Sequence, residues 1–381
     1  MLKPMDHTGL MPPAASGVAA PDSAGTAQLA EPVGDTPKRT TLERMPKWLI
    51  CVPLVLQWLW LGLRHGGFTL PSAANPAITS GGLVGETKLE YFASMGALAL
   101  SATARHCAFS PADGASMADI RASMAREDIV FPLIAKPDLG MCGFGVRLVA
   151  DEQALAAYVG SFPRDQIIVL QEYLPQEGEA GIFYAREPGA AQGRIIGLAL
   201  RYFPQVVGDG VSRIDALVAR DPRAGRVRRP GHMLAVDGSR VPAAGEQVRL
   251  ATIGSTRVGG LYRDGSACIT PALSVRIDGI ARDMETFHFG RFDVRFADLD
   301  ALRDGLVRIM EVNGAGSEAI EAWDPGFNLR QAFGIIFAKQ RTLFTIAAAN
   351  RRRGHRPIGL WPLARLHWTQ QRLLDTYPPS N

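Results

Sequence analysis

The hydrophobic and polar positions of the chain divide it into an apolar block near its start, a central region of short runs and a helical end. Short alternating or β-favouring apolar runs bounded by turn residues predict strands. These runs cover 130–135, 146–149, 167–170, 182–184, 195–200, 248–253, 292–296 and 306–312. Helical spacing recurs at 88–100, 152–159, 214–219, 272–286 and beyond residue 328. Because strands and helices do not alternate regularly, the pattern predicts an α+β fold.

The apolar block at 48–63 reads WLICVPLVLQWLWLGL and lies between Lys47 and Arg64. As a helix it would reach about 24 Å, which is short of the roughly 30 Å hydrocarbon core of a bilayer. Pro53 and Gln57 also interrupt it. A helix packed on the protein is therefore favoured. Its tryptophans and flanking cations would also suit a helix in the membrane interface, and both this reading and a true span stay open.

Residues 1–40 are rich in Pro, Ala, Gly, Ser and Thr and have no sustained apolar period. This composition predicts a disordered leader. An apolar segment behind a basic start, as in a signal peptide, is not apparent in it.

Composition narrows the class of protein. The chain has 381 residues, of which 47% are hydrophobic and 20% charged, so it is predicted to be globular with two or three units. Its 41 Lys and Arg against 37 Asp and Glu give a net charge of only +4, too small to argue for a nucleic-acid partner. Its four cysteines include no CxxC pair, which predicts reduced thiols and a cytoplasmic protein, with peripheral membrane contact through 48–63 left open.

Two strand-like runs carry a pair of acidic residues. Arg291 and Asp293 share one face of the first run, and Glu311 and Asn313 share one face of the second. If the strands pair, Asp293, Glu311 and Asn313 converge as oxygen ligands suited to Mg²⁺. Arg291 beside them would bind a phosphate or an oxyanion. Alternation alone does not exclude an ordinary hairpin with a solvated charged face.

A glycine-bearing loop at 136–145 follows an apolar strand. It begins at Lys136 and contains Gly140, Gly143 and Gly145, which would let main-chain amides approach an anion. The loop lacks the GK[ST] ending of a Walker motif, and a strand rather than a dinucleotide-binding helix is predicted after it. A plain glycine-rich hairpin remains open, but the lysine at the strand end favours a lid over phosphates.

Taken in this order, these elements resemble the ATP-grasp superfamily over residues 75–340, and within it the D-alanine–D-alanine ligase-like enzymes. The resemblance implies an ATP-grasp fold, in which two α+β subdomains clasp ATP behind a short N-terminal helical region. Together with composition it predicts a disordered leader at 1–40, an apolar helix and loop region at 41–87, a subdomain with the glycine loop at 88–205, a subdomain with the metal site at 206–345 and a basic helical tail at 346–381.

The resemblance implies a role for several residues toward ATP. Lys88 and Lys136 match the two lysines that contact the phosphates under the glycine loop. Glu172, Tyr173 and Leu174 match the hinge segment that contacts adenine. Glu179 matches the acidic residue that holds the ribose.

The resemblance also implies a metal site and two catalytic arginines. Asp293, Glu311 and Asn313 match the ligands of Mg²⁺ or Mn²⁺, with two ions expected. Arg291 matches the arginine that stabilises charge on the reacting acyl phosphate. Arg201, which lies beside a loop resembling the one that closes over ATP, is the second predicted catalytic residue.

The activity implied is ATP-dependent, Mg²⁺-dependent ligation of a small-molecule carboxylate to an amine, amino acid or peptide-like, through an acyl phosphate. No nucleic-acid partner is implied. The segment after Asn313 does not match the substrate-carboxylate motif of the dipeptide ligases, so no particular substrate follows. An ATP-grasp kinase acting on a small molecule and a catalytically silent ATP-binding module remain as alternatives.

Overall fold

A computed structural model of the chain describes residues 41–381, so the predicted leader lies outside the described residues. Among the described residues the helices, labelled in chain order, are α1 Thr41–Arg44, α2 Lys47–His65, α3 Lys88–Ala93, α4 Ala97–Ala102, α5 Met117–Arg126, α6 Glu152–Ser161, α7 Ile214–Arg220, α8 Pro271–Arg282, α9 Leu299–Arg303, α10 Leu329–Arg352 and α11 Leu360–Leu374. The strands are β1 His106–Phe109, β2 Leu133–Pro137, β3 Arg147–Val149, β4 Ile168–Glu172, β5 Gly178–Ala185, β6 Arg194–Tyr202, β7 Gln205–Val207, β8 Gln247–Arg249, β9 Leu261–Asp264, β10 Phe289–Phe296 and β11 Arg308–Asn313.

The strands form antiparallel sheets. A four-stranded sheet has the order β1-β4-β2-β3, a five-stranded sheet has the order β11-β10-β5-β6-β9, and β7 pairs with β8. Separate helices and antiparallel strands confirm the predicted α+β class. The division between the two larger sheets falls between Glu172 and Gly178. Strands β5 and β6, which lie inside the predicted 88–205 unit, therefore belong to the second sheet.

The alternation along β10 decides which face of the five-stranded sheet becomes core. Phe292, Val294 and Phe296 are fully or almost fully buried in a cluster that includes Leu273 and Ile277 of α8. Burying an aromatic or aliphatic side chain of this size contributes roughly 1.5–3 kcal/mol. The opposite face of β10 is left for the polar residues that alternate with them.

The predicted helix over 88–100 is wrong as a single element, because α3 ends at Ala93 and α4 begins at Ala97. Gly96 approaches Asp283 so closely that an added Cβ would lie 2.5 Å from its carboxylate oxygen Oδ1, and the Gly96 N–H donates to the Asp283 carbonyl at 2.7 Å. The chain therefore turns here to dock against the end of α8. Thr87 caps α3 by accepting from the Glu90 N–H, which places Lys88 at the first position of the helix.

The apolar block forms α2, and one face of it packs on α10 as predicted. Ile50 and Leu61 are buried, the Gln57 side-chain amide donates to the Phe337 carbonyl at 2.8 Å, and the Trp58 ring meets Phe344 edge-on. Within residues 41–381, Trp48–His65 is the one helix long and apolar enough to cross a membrane by length and composition. The face of α2 turned away from α10 is exposed.

Candidate active site

The acidic residues of β10 and β11 lie together. The two strands pair antiparallel with Asp293 opposite Glu311 and Arg291 opposite Asn313, and the ladder is bulged after Asp293. The Asn313 side-chain amide donates to Asp293 Oδ2 at 3.2 Å. Asp293 is only 3% exposed, so this is not the solvated face of an ordinary hairpin. The pairing assumed from the sequence is present, and the three candidate metal ligands converge.

Two lysines from outside the five-stranded sheet reach β11 near the carboxylate of Glu311. Lys88 Nζ lies 3.3 Å from Glu311 Oε1. Lys136 Nζ donates to the Met310 carbonyl at 3.1 Å and to Gln171 Oε1 at 2.7 Å. Burial opposes ionisation of Glu311, but Lys88 and Lys136 outweigh it and lower its pKa. Burial lowers the pKa of Lys136 itself to about 8.

The glycine loop at 136–145 lies over Lys88. Gly143 and Gly145 have left-handed φ angles of 73° and 72°, which glycine adopts without strain. An added Cβ at Gly140 would lie 3.5 Å from Lys88 Nζ, so the loop passes directly over that lysine. Arg257 donates from Nε to the Cys142 carbonyl at 3.2 Å and from Nη2 to the Gly143 carbonyl at 3.3 Å. The segment after β8 therefore closes onto the loop.

Residues 377–381 brace the same loop, and no motif in the sequence predicts this contact. The Tyr377 hydroxyl donates to the Leu139 carbonyl at 2.6 Å. Asn381 donates from its main-chain N–H to the Val146 carbonyl at 3.3 Å and accepts at Oδ1 from the Leu148 N–H at 2.9 Å. The glycine loop is thus held at both of its ends by one C-terminal segment.

Arg291 forms a bidentate ion pair with Asp293. Nε donates to Oδ1 at 2.6 Å and Nη2 donates to Oδ2 at 3.0 Å, while Nη1 donates to the Glu318 carbonyl at 3.1 Å. Gly181, which faces Asp293 from β5, leaves the space for this pair. A Cβ there would lie 2.9 Å from Arg291 Cδ and 3.2 Å from Asp293 Oδ1. A side chain at position 181 is therefore incompatible with the observed arrangement.

A row of charges crosses the sheet beside this pair. The strand registers place Arg295, Glu179 and Arg201 next to one another on β10, β5 and β6. Arg201 Nη1 bridges Glu179 Oε1 at 3.0 Å and Asp293 Oδ2 at 3.3 Å, and Arg295 Nη2 lies 3.2 Å from Glu179 Oε2. Burial opposes the charged form of Arg201, but the two carboxylates outweigh it and raise its pKa further. Glu179 and Arg201 therefore belong to the same network as Asp293.

The predicted hinge lies at the end of β4. The Glu172 carboxylate is held by Arg105 Nη2 at 3.0 Å and by Arg308 Nη2 at 3.1 Å. Leu174 is buried and Tyr173 is partly buried. Because the Glu172 carboxylate is already paired, a contact from this segment to a nucleotide base would fall to its main chain.

Two site residues escaped prediction. Arg295 follows Asp293 on the same face of β10 but matches none of the predicted roles, and Glu86 stands alone before α3 without a motif around it. Burial raises the pKa of Glu86 to about 7, and its Oε2 has no hydrogen-bond partner. Lys88 and Glu311 are the charged neighbours that act on Glu86 most strongly. A half-buried carboxyl group with one unpartnered oxygen, beside the candidate phosphate lysines, marks a place where a ligand group could bind.

The network is rich in cationic side chains. Five of them face three carboxylates, and the acidic groups of Glu86 and Asp138 lie close to the two lysines. The cations are Lys88, Lys136, Arg201, Arg291 and Arg295, and the carboxylates are Glu179, Asp293 and Glu311. Among residues 41–381 no group of three or more His, Cys, Asp and Glu side chains could hold a metal by itself. A divalent cation at this site would therefore need Asn313 or oxygens of a bound anion.

A wide, open cleft of about 570 Å³ lies elsewhere and is lined by Met95, Arg186 and His288, among others. It contains none of the predicted site residues. The buried charge network, and not this cleft, is therefore the candidate active site.

Comparisons with known proteins give similarity in structure only. No protein-family model and no curated protein sequence matches the chain. The bifunctional glutathione synthetase of Pasteurella multocida is 16% identical with a TM-score of 0.31, over 66% of this chain and 36% of that one. This chain thus spans little more than a third of that protein.

For two further solved structures the match covers a larger share of the other protein. The D-alanine–D-alanine ligase of Bacillus anthracis is 13% identical with a TM-score of 0.40, over 72% of this chain and 70% of that one. D-cycloserine synthetase is 13% identical with a TM-score of 0.37, over 70% and 69%. At these values the similarity does not decide what the chain binds, and the assignment of function depends on the side chains described above.

Proposed function

We propose that the chain is an ATP-dependent ligase of the ATP-grasp kind, which joins a small-molecule carboxylate to an amine with the help of Mg²⁺. The observation that carries the proposal is the convergence of Lys88 and Lys136 on β11, close to Glu311 and next to the Arg291–Asp293 pair. Lysines brought together under a glycine loop suit a polyphosphate, since ammonium groups and loop amides are the usual partners of phosphate oxygens.

The cluster of cationic side chains supports a ligand of opposite charge. Lys88, Lys136 and Arg291 lie close together at the site, and a nucleoside triphosphate is strongly anionic. Uncompensated charge is costly in a buried site, so a bound anion would stabilise the charged forms of these side chains.

The donor set fits a magnesium ion. Asp293, Glu311 and Asn313 offer oxygen atoms, and Mg²⁺ is usually held by one or two carboxylates together with substrate phosphates. These three residues would hold the metal, with two ions proposed, and the bound metal would polarise the transferred phosphoryl group. Arg291 and Arg201 keep the Asp293 carboxylate in place by donating to it or pairing with it.

The proposed reaction has two steps. An oxygen of the substrate carboxylate bonds to the γ-phosphorus of ATP as the bond from that phosphorus to the bridging oxygen breaks, which gives an acyl phosphate and ADP. The amine nitrogen then bonds to the acyl carbon, phosphate leaves with the electron pair of the C–O bond, and the amine loses a proton. The lysines and arginines position the reacting groups and offset their charge. Arg291 is proposed to stabilise the oxyanion of the second step.

The test is ADP release by the purified chain with Mg-ATP against a panel of amino acids and short peptides. Release that requires both a carboxylate and an amine, with formation of the amide product, is expected. Release without an amine, accompanied by a phosphorylated product, would instead identify a kinase. A chain whose melting temperature Mg-ATP does not raise would contradict the proposal altogether.

The variant Asp293→Asn tests the role proposed for the Asp293 carboxylate. The amide cannot balance Arg291 and Arg201, so we expect turnover to fall below detection. The control is Asp300→Asn, the same chemical change at an exposed residue that pairs only with Arg303 among the described contacts. Normal ADP release by a folded Asp293→Asn protein would refute the role given to Asp293.

A further inference from the structure

One face of α2 is exposed and apolar along its whole length. The exposed side chains are 40–73% accessible and recur at helical spacing, and they are Trp48, Leu49, Val52, Val55, Leu56, Leu59, Trp60 and Leu63. From the first to the last they form a stripe of about 22 Å at the helical rise. Between Trp48 and Leu63 the sequence contains no charged residue.

An ordinary surface helix is apolar on the face toward the core and polar on the other. Here the inner face, with Ile50, Trp58 and Leu61, packs on α10, and the outer face is apolar as well. Only 17% of residues 48–65 are buried, so α2 is not an enclosed core helix. Because its inner face is held by α10, the helix lies along the surface of the protein and would have to leave the fold to cross a bilayer.

A cationic surface adjoins the C-terminal end of α2. Arg351 donates from Nη1 to the Gly66 carbonyl at 3.0 Å and from Nη2 to the His65 carbonyl at 2.6 Å, so the basic end of α10 lies against the end of α2. Burial and the charges of Arg64, Arg351 and Arg352 lower the pKa of His65, in keeping with three guanidinium groups gathered around it. Arg356, a few residues further along the chain, is exposed.

Acidic side chains are absent from these segments. The sequence contains no Asp or Glu from residue 44 to residue 85, nor from residue 325 to residue 374. These stretches include α2, α10 and α11. These helices therefore contribute apolar and cationic side chains to the surface and no carboxylate of their own.

The start of α11 is also apolar and cationic. The Ile358 N–H donates to Ser72 Oγ at 2.9 Å, which places the approach to α11 beside the segment that follows α2. On α11, Trp361 and Trp368 are exposed and meet edge to face at 5.6 Å, with Arg365 between them in sequence. Tryptophan next to arginine is typical of side chains that lie at the lipid headgroup level.

We propose that α2, together with the basic end of α10, docks peripherally on an anionic lipid bilayer, with α2 lying in the plane of the interface. The apolar stripe enters the boundary between headgroups and acyl chains, and Arg64, Arg352 and Arg356 meet the anionic headgroups. A second copy of the chain is disfavoured as the occupant. Exposed Arg44 lies just before α2 and exposed Arg64 lies near its end, so an antiparallel two-fold contact along this face would bring basic residues of the two copies together.

Vesicle flotation of the full chain tests this proposal. We expect co-flotation with vesicles of phosphatidylcholine and phosphatidylserine, weaker co-flotation with phosphatidylcholine alone, and release by high salt or alkaline carbonate, as for a peripheral protein. Leu56→Glu with Leu63→Glu should lower the partition coefficient about tenfold or more, since two apolar anchors are lost and two negative charges are added. Arg352→Gln with Arg356→Gln should reduce the dependence on phosphatidylserine.

The matched control is Val275→Glu with Leu306→Glu, which adds the same charge at two equally exposed apolar residues outside the patch. This control should float like the unmodified chain, and circular dichroism should find both double variants folded. Failure of the unmodified chain to float with phosphatidylserine vesicles would overturn the proposal. So would a chain that dimerises in sedimentation, dissociates on Leu56→Glu with Leu63→Glu, and ignores vesicles, because the face would then bind a second copy.

Discussion

Lys88 Nζ lies 3.3 Å from Glu311 Oε1, although the two residues stand near opposite ends of the described chain. Lys88 begins a short helix before the first sheet, and Glu311 lies on an edge strand of the second sheet. The contact therefore exists only when both parts of the fold are assembled. In the proposed reaction the lysine would exchange this carboxylate for phosphate oxygens when the nucleotide and metal bind.

Lys88→Met is expected to lower kcat/KM for ATP about 100-fold, because a charge-assisted contact to the phosphates is lost in a buried site. Arg121→Met serves as control, since this exposed arginine pairs only with Glu152 among the described contacts. Steady-state ADP release over a range of ATP concentrations gives the comparison. Equal kcat/KM values for the two variants would remove Lys88 from the nucleotide site.

Glu86 predicts a pH dependence of stability. Burial raises its pKa from 4.5 to about 7, so between these values the folded chain holds a proton that the unfolded chain has released. The contribution of this group is fully present below pH 4.5 and is lost as the pH rises through about 7. Urea denaturation across this range should show a decline in the free energy of unfolding that Glu86→Gln removes.

Glu127→Gln, the same change at an exposed carboxylate, should leave that decline in place. If Glu86→Gln and Glu127→Gln followed the same curve as the unmodified chain, Glu86 would be ionised in the folded protein and the site would lack its buried neutral acid.

Local patterns in the sequence were sufficient to predict part of the site. The period-two alternation of β10 and β11 predicted that Asp293 and Glu311 face the same way, and the pairing of the two strands makes them direct partners. The strands predicted on either side of the glycine loop are also present, as β2 and β3. These predictions depend on neighbouring residues within one or two strands.

Other features depend on contacts between distant segments and could not be predicted in this way. The row Arg295–Glu179–Arg201 requires the registers of β10 with β5 and of β5 with β6, which no local pattern specifies. The break between α3 and α4 follows from the approach of Gly96 to Asp283. The brace of the glycine loop by Asn381 likewise joins residues that share no motif.

Gly181→Ala tests how closely the Arg291–Asp293 pair is fitted. The new methyl group would lie 2.7 Å from Ile320 Cδ1 and 2.9 Å from Arg291 Cδ, so one of these side chains must move. We expect a loss of stability of about 1–3 kcal/mol and a larger relative loss of ADP release. Gly160→Ala is the control, because nothing lies within 4 Å of its Cβ on the exposed side of α6. Activity and melting temperature equal to those of the control would contradict the close fit.

Tyr377→Phe tests whether the C-terminal segment braces the glycine loop. The change removes the hydroxyl that donates to the Leu139 carbonyl but keeps the ring stacked on Phe162. The loss of one such hydrogen bond costs about 1 kcal/mol. Because the bond holds the first part of the loop, we expect faster proteolytic cleavage within 139–145 and a higher KM for ATP, with little change in kcat at saturation. Cleavage sites are read by mass spectrometry, with the unmodified chain under the same protease as reference. Unchanged cleavage together with an unchanged KM would mean that the loop keeps its position without the tyrosine, and the bracing role would then be wrong.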